Sequence, residues 1–299
     1  MDTSEIREKI GRFRILVVGR ANAGKTTILQ RVCNTRDDPE IHNSAGVKID
    51  LAVIEASREV CCVLSRRQEL TCSQRGLHDI ENEMVFRSNP GFVFHDSRGF
   101  ESGGKDEFEK VKEFIAGRSK EIKITNRLHA IWYCIPMDEA HRSFTAAEQK
   151  FFSECDTGTI PVIVVFTKFD ALYDIAYSQL RKEGKSLKDA RELAPKRAEE
   201  TFPDGPQLKF LQGVRWPPKG HVCLPNCGAL IERTAGTLND EMLEQLFVST
   251  QQTHLEICMR YAIKRTLPKH LDSVKSTTEG YKEIVGTLGN WFPHIYVSW

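Results

Sequence analysis

The sequence predicts a three-layer α/β/α fold with a mostly parallel sheet, followed by a helical C-terminal extension. Three observations carry this reading. Short apolar runs alternate with amphipathic segments along most of the chain, the order in which crossover helices cover both faces of a parallel sheet. Each run stops abruptly at a turn-forming or polar residue such as Gly19, Asp96, Pro136 or Thr167. The residues with chemistry to offer follow those stops, and open α/β sheets bind ligands at the carboxyl ends of their strands.

Phe13–Val18 is a β-branched run ending at Gly19 and reads as a buried strand. Lys25–Cys33 reads as a helix with Ile28, Leu29 and Val32 on one face. Gly91–His95 is a second strand, ending at Asp96. Glu107–Ile115 places Phe108, Val111, Phe114 and Ile115 at helical spacing. Leu128–Ile135 is a strand stopped by Pro136, and Thr145–Phe152 is a short helix. Pro161–Phe166 is the clearest strand, ending at Thr167. Residues 178–202 are charged, which fits a solvated helix or an insertion, and His221–Leu224 is a last strand. Asn239–Ile263 reads as one long amphipathic helix with Met242, Leu246, Leu255 and Met259 inward. On this reading residues 1–11 are a tail, 12–263 one domain with insertions at 60–74 and 178–202, and 264–299 the C-terminal extension.

The chain of 299 residues is 40% hydrophobic and 28% charged, the profile of a soluble globular protein. Its 42 basic and 41 acidic residues give a net charge of +1, so no global field points to nucleic acid. The acidic start Met1–Glu5 lacks the basic-then-apolar order of a secretory signal. No apolar run reaches the roughly 18 residues that span a bilayer, so a cytoplasmic location is expected. Nine cysteines are scattered through the chain, which fits buried reduced thiols better than a disulfide framework. His221, Cys223 and Cys227 resemble half of a zinc site, but the second ligand pair is missing.

Gly19-Arg20-Ala21-Asn22-Ala23-Gly24-Lys25-Thr26 matches G-x-x-x-x-G-K-[ST] between an apolar strand and a helix. Glycines let the backbone curl so that its N–H groups face phosphate oxygens, and the helix adds its positive N-terminus. Gly19, Asn22, Ala23, Gly24, Lys25, Thr26 and Thr27 are therefore candidate nucleotide-binding residues. Lys25 would reach the β- and γ-phosphates, a catalytic role, and Thr26 would offer its hydroxyl to Mg²⁺. Asp96-Ser97-Arg98-Gly99 fits D-x-x-G, with Asp96 a second metal candidate and the Gly99 N–H placed to sense the γ-phosphate. Thr167-Lys168-Phe169-Asp170 fits [NT]-K-x-D. A carboxylate at Asp170 accepts two hydrogen bonds from guanine, whereas adenine would leave it unpaired. The stem of Lys168 can pack over the base. The plainer alternative is that Asp170 caps the next helix.

These three segments in this order resemble the phosphate, switch and base motifs of the translation-factor-related class of P-loop GTPases. The phosphate loop is similar to that of Era-like GTPases. Arg75–Glu83 and His95–Phe100 resemble uncharacterised G-domain GTPases expanded in fungi, with septins and immunity-associated GTPases more distant. The resemblance implies a G domain, GTP and GDP as ligands, Mg²⁺ as cofactor, an unidentified protein effector, and switches following Ser97 and preceding His78 that change order when the γ-phosphate leaves. It also implies K⁺ as a second cofactor, because Asn22 matches the position where Era-like relatives bind that cation.

The sequence departs from the pattern in places. Phe100 follows Gly99 where Ras-like GTPases carry a water-orienting glutamine. Slow hydrolysis is therefore expected, helped by Asn22 with K⁺ or by charge from Arg98 or Arg20. For both arginines a solvent-facing side chain is the plainer expectation. The alternatives are a GTP-binding scaffold without turnover and, behind it, an ATPase. No pattern selects a switch hydroxyl between Thr35 and Ser73, and Pro225–Cys227 is one option for the last base-contacting loop.

Val60–Gln74 holds three of the nine cysteines, and removing it joins Glu59 to Arg75 in a family-like continuation. Its ends are compatible with splice-site codons, which motivates the hypothesis of a translated intron; an unbroken exon across this region in both gene and cDNA would exclude it. The C-terminal aromatics Trp291, Phe292, Tyr296 and Trp299 are expected to dock or to be disordered. The 239–263 helix could support a homodimer, although core packing is the better expectation.

Overall fold

The structure, a computed structural model, describes residues 3–49, 79–97, 105–138, 144–224, 227–251, 255–271, 278–289 and 291–292. Its strands are β1 (Phe13–Gly19), β2 (Glu40–His42), β3 (Lys48–Ile49), β4 (Glu83–Phe86), β5 (Asn89–Asp96), β6 (Ala130–Pro136), β7 (Val162–Thr167) and β8 (Gly220–Cys223). They form one eight-stranded sheet in the order β3-β2-β4-β5-β1-β6-β7-β8. The β5-β1-β6-β7-β8 block is parallel, and the β3-β2-β4 edge is antiparallel to its neighbours. The sequence reading found every strand of the parallel block and none of the antiparallel edge. The parallel strands announce themselves as apolar runs because both faces are buried. The edge strands are two to four residues long and carry charges.

Side-chain alternation splits the core between the two faces of the sheet. Ile15 and Val17 of β1 join one cluster, and Leu16 and Val18 join the other. The helices follow the same division. The first face is covered by α1 (Thr3–Ile10) and α2 (Lys25–Val32) and by the later helices α8 (Cys227–Thr237), α9 (Glu241–Thr250) and α10 (Leu255–Leu271). The second face is covered by α3 (Lys105–Lys120), α4 (Ala146–Glu154), α5 (Ala171–Lys182), α6 (Leu187–Thr201) and α7 (Pro206–Gly213). A last helix, α11 (Thr278–Gly289), packs against α10.

Several expectations change in detail. Residues 3–10 of the expected tail form a helix whose Ile6 and Ile10 are fully buried. The charged stretch 178–202 is a helical hairpin, α5 and α6, capped at its turn by Ser186, whose hydroxyl accepts the Asp189 N–H. Ala190, Ala194 and Ala198 recur every four residues, join the core on the second face of the sheet, and lie on a helix that packs mainly against α5. The single long helix over 239–263 is a misreading. The chain leaves helical geometry at Gln251 (φ −71°, ψ 119°), giving α9 and α10. Leu246 is buried as expected, but Leu255 and Met259 are exposed, and Ile257, Cys258 and Ala262 face inward instead. The break resets the helical phase, so spacing counted across it misassigns the second half.

Trp291 is buried and its indole N–H donates to the Thr266 hydroxyl at 3.2 Å, so this tail aromatic docks. Tyr296 and Trp299 lie outside the described residues, as do Val60–Gln74 and Pro225–Asn226. Cys33, Cys134, Cys155, Cys223 and Cys258 are free thiols, and burial pushes the first four up to about 12. Among the described residues no three His, Cys, Asp or Glu side chains cluster to hold a metal, and no helix is long and apolar enough to cross a membrane.

Candidate nucleotide-binding site

The carboxyl ends of β1, β5, β6 and β7 come together because these strands run parallel and in near register. Gly19 lies opposite Cys134, Val17 opposite Asp96, and Pro136 opposite Thr167. Gly19 closes β1 at φ +154°, and a Cβ there would sit 2.3 Å from the Cys134 carbonyl oxygen. The loop therefore leaves the sheet through a gap only glycine fits. Asn22 and Gly24 take left-handed conformations (φ 57° and 75°) that bend the chain back into α2. Ala23 is buried under this bend, while Asn22, Thr26 and Thr27 are exposed.

Lys25 folds back over the loop. Its Nζ donates to the Gly19 and Arg20 carbonyls at 3.3 and 3.2 Å and lies 3.8 Å from Asp96 Oδ1. That oxygen has no hydrogen-bond partner among the described residues. Burial raises the Asp96 carboxyl to about 6, and the Lys25 ammonium pulls it the other way. Ser97 is tied to β1 by its N–H, which donates to the Val17 carbonyl at 3.1 Å, yet its buried hydroxyl has no partner among the described residues. The buried Thr167 hydroxyl is unpartnered in the same sense. Arg98, Gly99 and Phe100 lie outside the described residues.

At the end of β7, Lys168 is left-handed (φ 51°) and its Nζ meets Asp138 Oδ2, just past β6, at 2.6 Å. Phe169 is fully buried, its ring 5.1 Å from that of Phe202, and this anchors the turn. Asp170 is exposed at the start of α5, where its side chain makes no capping hydrogen bond. The capping alternative therefore does not engage this carboxylate, which stays available to a base.

Arg20 corrects the sequence reading, which gave it a solvent-facing side chain or a catalytic charge. It is 2% exposed and points into the protein, where its guanidinium grips Glu148. Glu148 and Asp138 were both missed as site neighbours. Thr145-x-x-Glu148 could have been read as a capping box, and both halves of that box form. Nothing local marks its second partner 128 residues away.

The residues present suit a hard cation such as Mg²⁺, which prefers oxygen donors. Asp96 offers an oxygen without a hydrogen-bond partner among the described residues, and Thr26 stands exposed at the same edge, at the first turn of α2.

The family described as 50S ribosome-binding GTPase matches residues 14–168, more than half of the chain. The chain belongs to that family. Membership makes this GTPase-family protein a GTP-binding P-loop G-domain protein, and its sheet and helical C-terminal region accord with that fold. The match takes in the phosphate loop and Asp96 and ends at Lys168, inside the base motif. No curated protein matches the chain.

Proposed function

We propose that this chain is a slow, Mg²⁺-dependent GTPase that cycles between GTP and GDP states as a cytoplasmic switch. The observation that carries the reading is the convergence, at one sheet edge, of the Lys25 ammonium, the Asp96 carboxylate and an Asp170 carboxylate left free of its own helix. Lys25 would exchange the Gly19 and Arg20 carbonyls for β- and γ-phosphate oxygens, and backbone N–H groups of Asn22–Thr27 would line the rest of the phosphates. Thr26 and Asp96 would hold Mg²⁺, which, when bound, spreads and neutralises charge on the phosphates. Gly99 would meet the γ-phosphate. Thr167, Lys168 and Asp170 would select guanine, with Asp170 accepting from the ring N–H and the exocyclic amine. Hydrolysis adds water to the γ-phosphorus and breaks its bond to the bridging oxygen, leaving GDP and phosphate. Asn22, exposed at the loop's bend, is the candidate for holding K⁺ near that developing charge.

The test is binding of a fluorescent GDP analogue in Mg²⁺, competed with GTP, GDP and ATP, beside Lys25→Ala and Asp170→Ala. GTP and GDP should compete and ATP should not. Lys25→Ala should weaken binding by about thirtyfold or more, the scale of a charge-assisted phosphate contact. Asp170→Ala should bring GTP and ATP close to parity. Equal competition by ATP in the parent protein would sink the guanine assignment. Turnover is tested separately: a single-turnover rate in K⁺ no faster than that of Asp96→Ala would remove the enzyme reading and leave a GTP-binding scaffold.

A further inference from the structure

We propose that Glu148 is a positioning residue for the phosphate loop, acting through Arg20; the inference rests on the nucleotide reading above. Arg20 directly follows Gly19, and its carbonyl is one of the two that receive Lys25 Nζ. Its side chain leaves the loop and runs into the protein. There Nε donates to Glu148 Oε1 at 2.7 Å and Nη2 donates to Oε2 at 2.8 Å. The two side chains are 3% and 0% exposed. A two-bond fork of this kind fixes the plane of the guanidinium as well as its distance.

Glu148 is itself held. It lies in the first turn of α4, where Oε2 also accepts the Thr145 N–H at 2.8 Å and its own N–H donates to the Thr145 hydroxyl at 3.3 Å. One turn on, the fully buried Phe151 and Phe152 seat the helix against Tyr133 of β6, with ring centres 4.7 and 5.0 Å away. The loop is thus pinned from its side-chain end to a helix that is locked on the sheet.

A buried ion pair is a poor device for stability, because desolvation offsets most of the attraction and apolar replacements often fold as well. What this pair does supply is a fixed position for the Arg20 backbone. Lys25 Nζ rests on that backbone, so the fork sets where the phosphate-binding ammonium and the neighbouring N–H groups point. Productive phosphate binding needs that placement to within a fraction of an ångström.

The experiment compares the full-length parent with Glu148→Gln and with the paired apolar variant Arg20→Met/Glu148→Leu, which removes both charges of the fork. Thermal melts report folding, and calorimetry reports binding of GDP, GMP and ADP in Mg²⁺. Both variants should fold and lose about tenfold or more in GDP affinity. GMP, which lacks the β-phosphate, should change by less than about threefold, and the preference for GDP over ADP should persist. A merely structural role would move all three ligands together. Equal losses for GMP and GDP, no loss, or unfolding of both variants would each overturn the proposal while leaving the parent's nucleotide binding intact. Failure of the parent itself to bind GDP would overturn the nucleotide reading, and this inference with it.

Discussion

The two ends of the same parallel strands treat polar groups in opposite ways. Toward the amino ends of β1 and β6, Arg14 is held by several partners. Its backbone N–H donates to His129 Nδ1 at 2.9 Å, Nε to the Thr125 carbonyl at 2.6 Å, and Nη1 to Glu83 at 2.6 Å. His129 completes the set, with Nε2 3.0 Å from the Ile124 carbonyl. At the carboxyl ends, Asp96 Oδ1, Ser97 Oγ and Thr167 Oγ1 are buried without hydrogen-bond partners among the described residues. An unpaired buried polar atom is costly, so folds tolerate it where something else is gained. One end of the sheet ties its polar groups to each other, and the other leaves polar groups that the proposed nucleotide would engage.

The sharpest challenge to this division is Gly19→Ala, because it lies at the ligand end yet should behave as a core change. With a Cβ 2.3 Å from the Cys134 carbonyl, the loop or β6 must move. Urea denaturation should show a loss of roughly 3 kcal/mol or more, with nucleotide binding abolished as well. A loss under about 1 kcal/mol would show that the carboxyl edge yields easily.

Next in size is Arg14→Met. It removes the shorter of two arginine contacts to Glu83, whose side chain is 17% exposed, leaving the longer one from the more exposed Arg12 at 3.3 Å, and it frees the Thr125 carbonyl. Breaking a largely buried pair should cost about 3 kcal/mol, while GDP affinity of the folded fraction stays unchanged. A selective loss of GDP affinity would break the comparison.

A pH titration of stability probes the same network. Burial, the main cause, lowers His129 to about 4, from 6.5. Its Nδ1 accepts the Arg14 N–H, so the folded state needs the neutral ring. Between those two values the unfolded chain binds a proton that the folded chain refuses, so stability should be full above 6.5 and fall as pH drops toward 4. The loss attributable to this ring should be roughly 2 kcal/mol and should be absent in a folded His129→Gln variant. An identical acid limb in that variant would assign the effect elsewhere.

The smallest effect is expected at Lys168→Met. The Lys168–Asp138 pair is about two-fifths exposed on both sides (40% and 41%). Its removal should change stability by no more than about 0.5 kcal/mol and weaken guanine nucleotide binding several-fold. A larger stability loss would mean that the base-reading turn is structural after all.

Legibility followed the same physics. The parallel strands and the three motifs were readable because each is a contiguous run whose residue types satisfy a local demand. The β3-β2-β4 edge was not, since short half-exposed strands carry little apolar signal. The helix break at Gln251 was missed because no proline or glycine marks it, and the six polar residues from Ser249 to His254 can equally be read as the solvent face of a continuous helix. Arg20 was read as a surface group because a charged residue in a loop is usually solvated; its burial depends on Glu148, far along the chain.

The sequence by itself determined the motifs on which the proposed nucleotide chemistry rests: a glycine-permitted loop, a lysine and threonine after it, and carboxylates at two strand ends. These are properties of neighbouring residues, and local covalent geometry is enough to express them. Only the tertiary structure decided which polar groups are satisfied. Arg20 found Glu148, Lys168 found Asp138, and Asp96 kept an oxygen without a hydrogen bond from the described residues. Such pairings join residues separated by 30 to 128 positions, and the packing of helices on the sheet alone brings them within hydrogen-bonding distance.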